Sequence, residues 1–308
     1  MPFDIQILLE LEQIRNPFLT NIFLFITQFG EELILLPLMC LIYWCINKKL
    51  ACFAAMNFFG ALFVNHLLKI TYCVDRPWIR STQLSPVPDA MQSATGFSFP
   101  SGHTANAVSV YGSAIFWFRK HLWMVILNSC IIFLVAFSRL YLGVHTLQDV
   151  AISLIVGFLL LLLNQWIFRK IESHPEKDRL YLFIVFAAAA FGALYTILKP
   201  YPDGTDAALK TDGMKTLGAM IGAVCGFYWD YRKIRFLKSN KPWVNIIRLI
   251  VGLVILLFLK TALKGVFNQY FGQLLGNFLR YFILLFWIFG FYPFLFTRLE
   301  LLQHNSYE

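Results

Sequence analysis

"GFSFPSGHTANAV", residues 96–108, runs from a polar connection into a strongly apolar segment, and the reading of that boundary decides the fold. Pro100-Ser101-Gly102-His103 stands where a helix begins, and the run that follows, 103–118, has the texture of a membrane span. Comparable runs, near the ~20 residues that cross a bilayer, recur at about 18–46, 50–72, 122–140, 149–168, 180–198, 213–230, 243–260 and 278–297. The expected fold is therefore all-α, a polytopic integral membrane bundle of about nine transmembrane helices. Composition points the same way. Of 308 residues, 58% are hydrophobic and only 14% charged, against about 25% charged in a soluble domain.

The first run is overlong and is interrupted by Gly30, Glu31 and Glu32. Ahead of it, "FDIQILLELEQIR" sets Phe3, Ile7, Leu8, Leu11 and Ile14 near helical spacing, which predicts an N-terminal amphipathic helix on the bilayer surface. The start, Met-Pro-Phe-Asp, lacks a basic n-region, so no cleaved signal peptide is expected.

Lys and Arg gather in short cytoplasmic connections. Here Lys48 and Lys49, Arg119 and Lys120, then Arg169, Lys170, Lys177 and Arg179 fall in alternate connections, and Arg232, Lys233, Arg235, Lys238 and Lys241 continue the series. The opposite connections face outward. Topology thus accounts for the formal charge of +9, and a nucleic-acid partner is not implied. Six cysteines show no metal-like pairing, and five of them lie within apolar runs.

Several charges are left over. "HLLKITYCVDRPW" places Lys69 seven residues before Arg76, two helical turns on one face. A residue before proline avoids helical dihedrals, so Arg76 is expected to turn back toward Lys69. "AFSRLYLGVHTLQDVAIS" carries Arg139, His145 and Asp149, the last two at i and i+4. A carboxylate there can fix one imidazole nitrogen as N–H and leave the other as a lone pair. Ser101 offers a hydroxyl, Gly102 lets backbone approach an anion, and a helix starting near His103 aims free N–H groups at the same spot. Taken singly, these are also what snorkelling cations and helix caps look like. Taken together, the charge topology puts all three segments on one outer face, where ionisable groups at a membrane edge are costly and usually functional. Three cations, backbone donors and two histidines suit a phosphoryl group.

Lys-x6-Arg-Pro (69–77), Pro-Ser-Gly-His (100–103) and Ser-Arg-x5-His-x3-Asp (138–149) resemble the three-part signature of the type 2 phosphatidic acid phosphatase superfamily. Every signature position is matched in order. The C-terminal stretches "TLGAMIGAVCGFYWD", "NIIRLIVGLVILLFLK" and "LRYFILLFWIFGFYPFLF" are similar in order and texture to the extension of the sphingosine-1-phosphate phosphatase branch. That branch usually has Ser-Thr-His where this chain has Ser-Gly-His.

The expected layout is amphipathic helix (1–17), catalytic core (18–170) and C-terminal transmembrane extension (171–308), and the family resemblance covers about residues 50–168 of it. The resemblance implies a metal-independent, cofactor-free phosphatase. His145, oriented by Asp149, attacks phosphorus to form a phosphohistidine, and His103 protonates the leaving alkoxide. Lys69, Arg76 and Arg139 bind the non-bridging oxygens with Ser101 and Gly102. The implied substrate is a lipid phosphate, like sphingosine-1-phosphate or phosphatidate, with a polyprenyl diphosphate or a sugar phosphate as alternatives. A phosphotransferase and a non-catalytic lipid transporter on the same fold are the other classes. The expected location is the cytoplasmic membrane, with the site on the extracytoplasmic side and homo-oligomerisation left open. Two outer stretches, 199–213 and 261–277, are expected to form a lid, and Gly218, Gly222 and Gly226, spaced by four, to give a smooth helix face.

Overall fold

In a computed structural model describing residues 3–202 and 204–305, with side chains through Leu299, every regular element is helical. The α-helices are α1 (Phe3–Gln13), α2 (Pro17–Thr27), α3 (Glu32–Leu41), α4 (Lys48–Tyr72), α5 (Pro77–Arg80), α6 (Pro88–Met91), α7 (Gly102–Trp117), α8 (Leu122–Tyr141), α9 (Leu147–Ser173), α10 (Asp178–Leu198), α11 (Asp206–Trp229), α12 (Pro242–Phe286) and α13 (Tyr292–Asn305). They fold as two compact units. The first comprises 1–36, 56–169 and 200–209, and the second 37–55, 170–199 and 210–308.

Among the described residues five segments are long and apolar enough to cross a membrane: Lys48–Arg80, Leu122–Tyr141, Leu147–Ser173, Pro175–Leu198 and Pro242–Leu299. A sixth arises if Pro17–Gly30 and Glu32–Ile46, bent by 50° at their junction, form one broken span. The count of nine is not confirmed. Helix α7, the expected third span, has only 16 residues and buries an unbroken run from Thr104 to Ser113. Helix α11, the expected seventh, is diluted by its glycines, Asp212 and Lys215. The expected eighth and ninth spans lie in one segment that doubles back at Gly272, whose backbone is left-handed (φ 71°). Across that reversal a Cβ on Gly276 would meet the Phe267 carbonyl, and Tyr292 Oη donates to Arg248 O at 2.7 Å. The two arms are therefore antiparallel.

In the first unit, α1 is anchored rather than loose. Ile5 and Leu8 are buried, and Leu8 packs with Leu84, Ala136, Leu140 and Val150. Asp4 pairs with Arg80 at 3.1 Å. Deeper in this unit a polar link joins three helices: Asn164 Nδ2 donates to Asn57 Oδ1, and Asn57 Nδ2 to Ser113 Oγ, both at 3.0 Å. Such side chains hold membrane helices together because apolar surroundings offer no other partner.

In the second unit, Asp230 is buried and satisfied by Tyr43 Oη (2.9 Å) and by Lys48. The glycine face of α11 lies directly on backbone. A Cβ on Gly218 or Gly222 would come within 2.2 Å of the Phe278 or Phe282 carbonyl, so only glycine permits this approach.

Candidate active site

Two helix starts build one side of the site. Ser101 caps α7: its Oγ accepts from Thr104 Oγ1 at 3.0 Å and, at 3.5 Å, from Thr104 N. Helix α9 opens on a reciprocal cap, with Thr146 N donating to Asp149 Oδ2 (2.8 Å) and Asp149 N to Thr146 Oγ1 (3.4 Å). Ser101 N also donates to the Asp149 carbonyl at 3.3 Å, so the two helix starts are tied together. A Cβ on Gly102 would meet nothing within 4 Å, which leaves open space in front of the α7 amides.

His145 sits between these starts and the chain end that follows α4. It is almost fully buried. Its Nε2 lies 3.0 Å from Arg76 Nη1, and its Nδ1 lies 3.4 Å from Asp149 Oδ2. A guanidinium only donates, so Nε2 must be the acceptor and Nδ1 the protonated nitrogen; this tautomer is assigned from the hydrogen-bond network. Burial, and then the charge of Arg76, hold His145 well below the ordinary imidazole range, outweighing the pull of Asp149. The ring is thus neutral, with its lone pair on Nε2. Asp149 is held in turn by Ser98, whose Oγ donates to Oδ2 at 2.6 Å.

Arg76 has the turned-back conformation expected before Pro77, with an extended backbone (φ −63°, ψ 151°). Its guanidinium donates to the carbonyls of Gly96 (2.9 Å), Val144 (3.0 Å) and Thr95 (2.7 Å). Arg139 is different. It has no exposed surface and gives one bond, from Nη1 to Thr27 Oγ1 at 2.6 Å, while its buried Nε and Nη2 have no protein partner. A desolvated cation with two unanswered donors is costly, and a phosphate offers the oxygens that would answer both. Lys69 comes beside the 95–96 loop, its Cδ about 4.0 Å from the Cβ position of Gly96, and adds positive charge at His103.

His103 projects from the first turn of α7. Burial first, and Arg139 next, push its pKa down to about 4, against the opposing pull of Glu31. Its Nε2 lies 3.3 Å from Glu31 Oε1. Helices α4, α7, α8 and α9 thus bring Lys69, Arg76, Ser101, Gly102, His103, Arg139, His145 and Asp149 into one region of the first unit.

Three side chains here, Thr27, Glu31 and Ser98, are absent from the sequence-based expectation. For Glu31 a signal existed. Glu31 and Glu32 are the only charges between Arg15 and Lys48, and a charge within a span asks for a function. Leu209, from the expected lid stretch 199–213, is buried and lies against Gly96.

Residues 49–172 match the model of the PAP2 superfamily, and residues 214–305 match the transmembrane extension of PAP2 superfamily phosphatases. Phosphatidylglycerophosphatase B of Bacillus subtilis (strain 168) is 31% identical over 179 residues, 53% of this chain and 82% of that protein. The chain belongs to the PAP2 superfamily. This PAP2 phosphatase is also similar to undecaprenyl-diphosphatase BcrC of the same organism, at 28% identity over 153 residues, 47% of this chain and 75% of that one. Among solved structures, the transmembrane PAP2-type phosphatidylglycerolphosphate phosphatase from B. subtilis aligns at 30% identity with a TM-score of 0.47, over 55% of this chain and 85% of that one. The PAP2 match covers every signature residue from Lys69 to Asp149.

The unanswered donors of Arg139 carry a prediction for this PAP2 phosphatase. Arg139→Lys keeps the charge but removes the planar fork, and is expected to lower kcat by about 10²–10³, the usual cost of losing transition-state donors. Initial-rate kinetics check this, and an Arg139→Lys enzyme with unchanged kcat would show that the fork does not hold the reacting phosphoryl group.

Proposed function

We propose that the protein hydrolyses a phosphate monoester carried on a membrane lipid, of the phosphatidate or sphingosine-1-phosphate kind, at the extracytoplasmic face and without a metal. The observation that carries this reading is His145 held neutral, its Nε2 lone pair beside Arg76 and its Nδ1 against Asp149. An incoming phosphate oxygen takes the Arg76 Nη1 donor and releases that lone pair. His145 Nε2 then attacks phosphorus in line while the bond to the lipid oxygen breaks, and His103 supplies the proton that oxygen needs. Water next attacks the phosphohistidine, giving its proton back to His103 and freeing phosphate. Lys69, Arg76 and Arg139 neutralise the non-bridging oxygens throughout. Positioning and charge neutralisation supply most of the catalysis in such transfers.

The similarity to a phosphatidylglycerophosphatase supports a glycerophospholipid monoester, and that to an undecaprenyl-diphosphatase supports a polyprenyl diphosphate as the second reading. The deciding experiment is phosphate release by the purified full chain, in EDTA, from phosphatidylglycerophosphate, phosphatidate, sphingosine-1-phosphate, undecaprenyl diphosphate and glucose-6-phosphate, with His145→Ala as control. Release from the sugar phosphate alone would overturn the lipid reading, and loss of activity in EDTA the metal-free one.

A pH prediction follows from the two histidines. His145 stays neutral to low pH, so it does not limit the reaction near neutrality. His103 loses its proton as pH rises through about 4 in the protein alone, so kcat/KM falls along that alkaline limb. A bound phosphate dianion offsets Arg139 and Lys69 and lifts the pKa of the acid in the complex. The alkaline limb of kcat is therefore expected at higher pH than that of kcat/KM. Initial rates across that range measure both limbs, and coincident limbs would exclude His103 as the titrating acid.

A further inference from the structure

We propose that Glu31 is a positioning residue for His103, the counterpart of Asp149 on His145, and that it keeps a proton on the ring that serves the leaving oxygen. This rests on His103 being the general acid, as proposed above. The geometry begins with the break in the first span. After α2 the chain makes a short 3-10 turn, Gln28–Gly30, and restarts as α3. That turn and the end of α2 are fastened to α7 and α8 at three points: Tyr111 Oη donates to Phe29 O (3.1 Å), Asn106 Nδ2 to Gly30 O (3.2 Å) and Arg139 Nη1 to Thr27 Oγ1. Gly30 is pressed onto His103 itself, since a Cβ there would lie 2.8 Å from the His103 carbonyl and 3.0 Å from its Cβ. The turn therefore delivers the Glu31 carboxylate to His103 Nε2, with both side chains mostly shielded from solvent (22% and 12% exposed).

The charges facing His103 decide what a carboxylate there does. Arg139 from α8 and Lys69 from α4 oppose an imidazolium, and Glu31 from the span break is the group that favours it. A carboxylate at one ring nitrogen stabilises the imidazolium whichever nitrogen delivers the proton. In the first step the proton passes from His103 to the alkoxide oxygen as its bond to phosphorus breaks. In the second, neutral His103 takes a proton from the attacking water, and Glu31 stabilises the restored cation.

The test compares leaving groups in the purified full-length protein. A nitrophenolate departs without a proton, whereas an alkoxide does not. In kcat/KM, which reports the transfer to His145 and not the later water step that both substrates share, Glu31→Gln is expected to cost an alkyl phosphate about 10-fold or more and a nitrophenyl phosphate less than about 2-fold, and to move the alkaline limb by about one pH unit toward acid. Glu31→Asp should restore part of both losses. Equal losses of kcat/KM on the two substrates, including complete inactivity on both, or an unmoved limb, would overturn the proposal. His103→Ala separates the two levels: if it lowers kcat/KM equally for both substrates, the general-acid assignment itself fails, and if it spares kcat/KM for the nitrophenyl phosphate while Glu31→Gln does not, only the role of Glu31 fails.

Discussion

His145→Ala is expected to abolish turnover, lowering kcat by about 10⁴–10⁶, the range seen when a covalent nucleophile is removed from an enzyme that uses one. The size of the loss follows from how completely this ring is committed. Asp149 and Arg76 set its tautomer, and burial keeps it neutral. The variant leaves the cationic surroundings in place, because Arg76 keeps its bonds to the carbonyls of Gly96, Thr95 and Val144. Substrate should therefore still bind. The measurement is phosphate release, together with trapping of an acid-labile phosphoryl group on the wild-type protein that the variant does not form. A variant that still turns over at a tenth of the wild-type rate would exclude His145 as nucleophile.

Asp149→Asn is expected to cost about 10⁴ in kcat, as when a triad aspartate is replaced by asparagine, with little change in KM. The carboxylate oxygen Oδ2 accepts from Ser98 Oγ and Thr146 N and lies 3.4 Å from His145 Nδ1. All three meet one oxygen, so the amide either keeps a neutral oxygen there, a weaker partner for the Nδ1 proton, or turns its NH₂ toward His145. The ring would then carry its proton on Nε2, facing the Arg76 donor and with no lone pair for phosphorus. The binding cations do not move, so the loss falls on the chemical step. Asp149→Ala adds the loss of the α9 cap, about 1 kcal/mol, and should lower thermal stability as well. Equal kcat for the Asn variant and wild type would show that Asp149 only caps its helix.

The parts of the site legible in the sequence are those whose chemistry is written in side chains at fixed spacing. His145 and Asp149 at i and i+4, Arg76 before Pro77, and Ser101 opening α7 all follow from helix periodicity and capping rules. The residues that complete the site were not legible in this way. The partners of Arg76 are main-chain carbonyls, which no residue type announces. Ser98 and Thr27 are common hydroxyl residues made important only by what folds against them. Glu31 was visible as a break in a span but not as a neighbour of His103, because the contact joins residues 72 apart in sequence. The apolar runs located the spans but not their number, since α7 is short and encased, and Gly272 reverses a continuous helical segment.

The polar link among Asn57, Ser113 and Asn164 has a consequence for the site far above it. At 1.5 Å per residue it lies roughly 18 Å along α4 from Lys69, 15 Å along α7 from His103 and 22 Å along α9 from Asp149. Apolar contacts between helices tolerate a slide of one turn, but these amides and this hydroxyl do not, because a slide strands buried donors without acceptors. The three side chains act as a vernier set in the middle of the bundle: they fix the depth of each helix, and so the depth at which Lys69, His103 and the start of α9 stand.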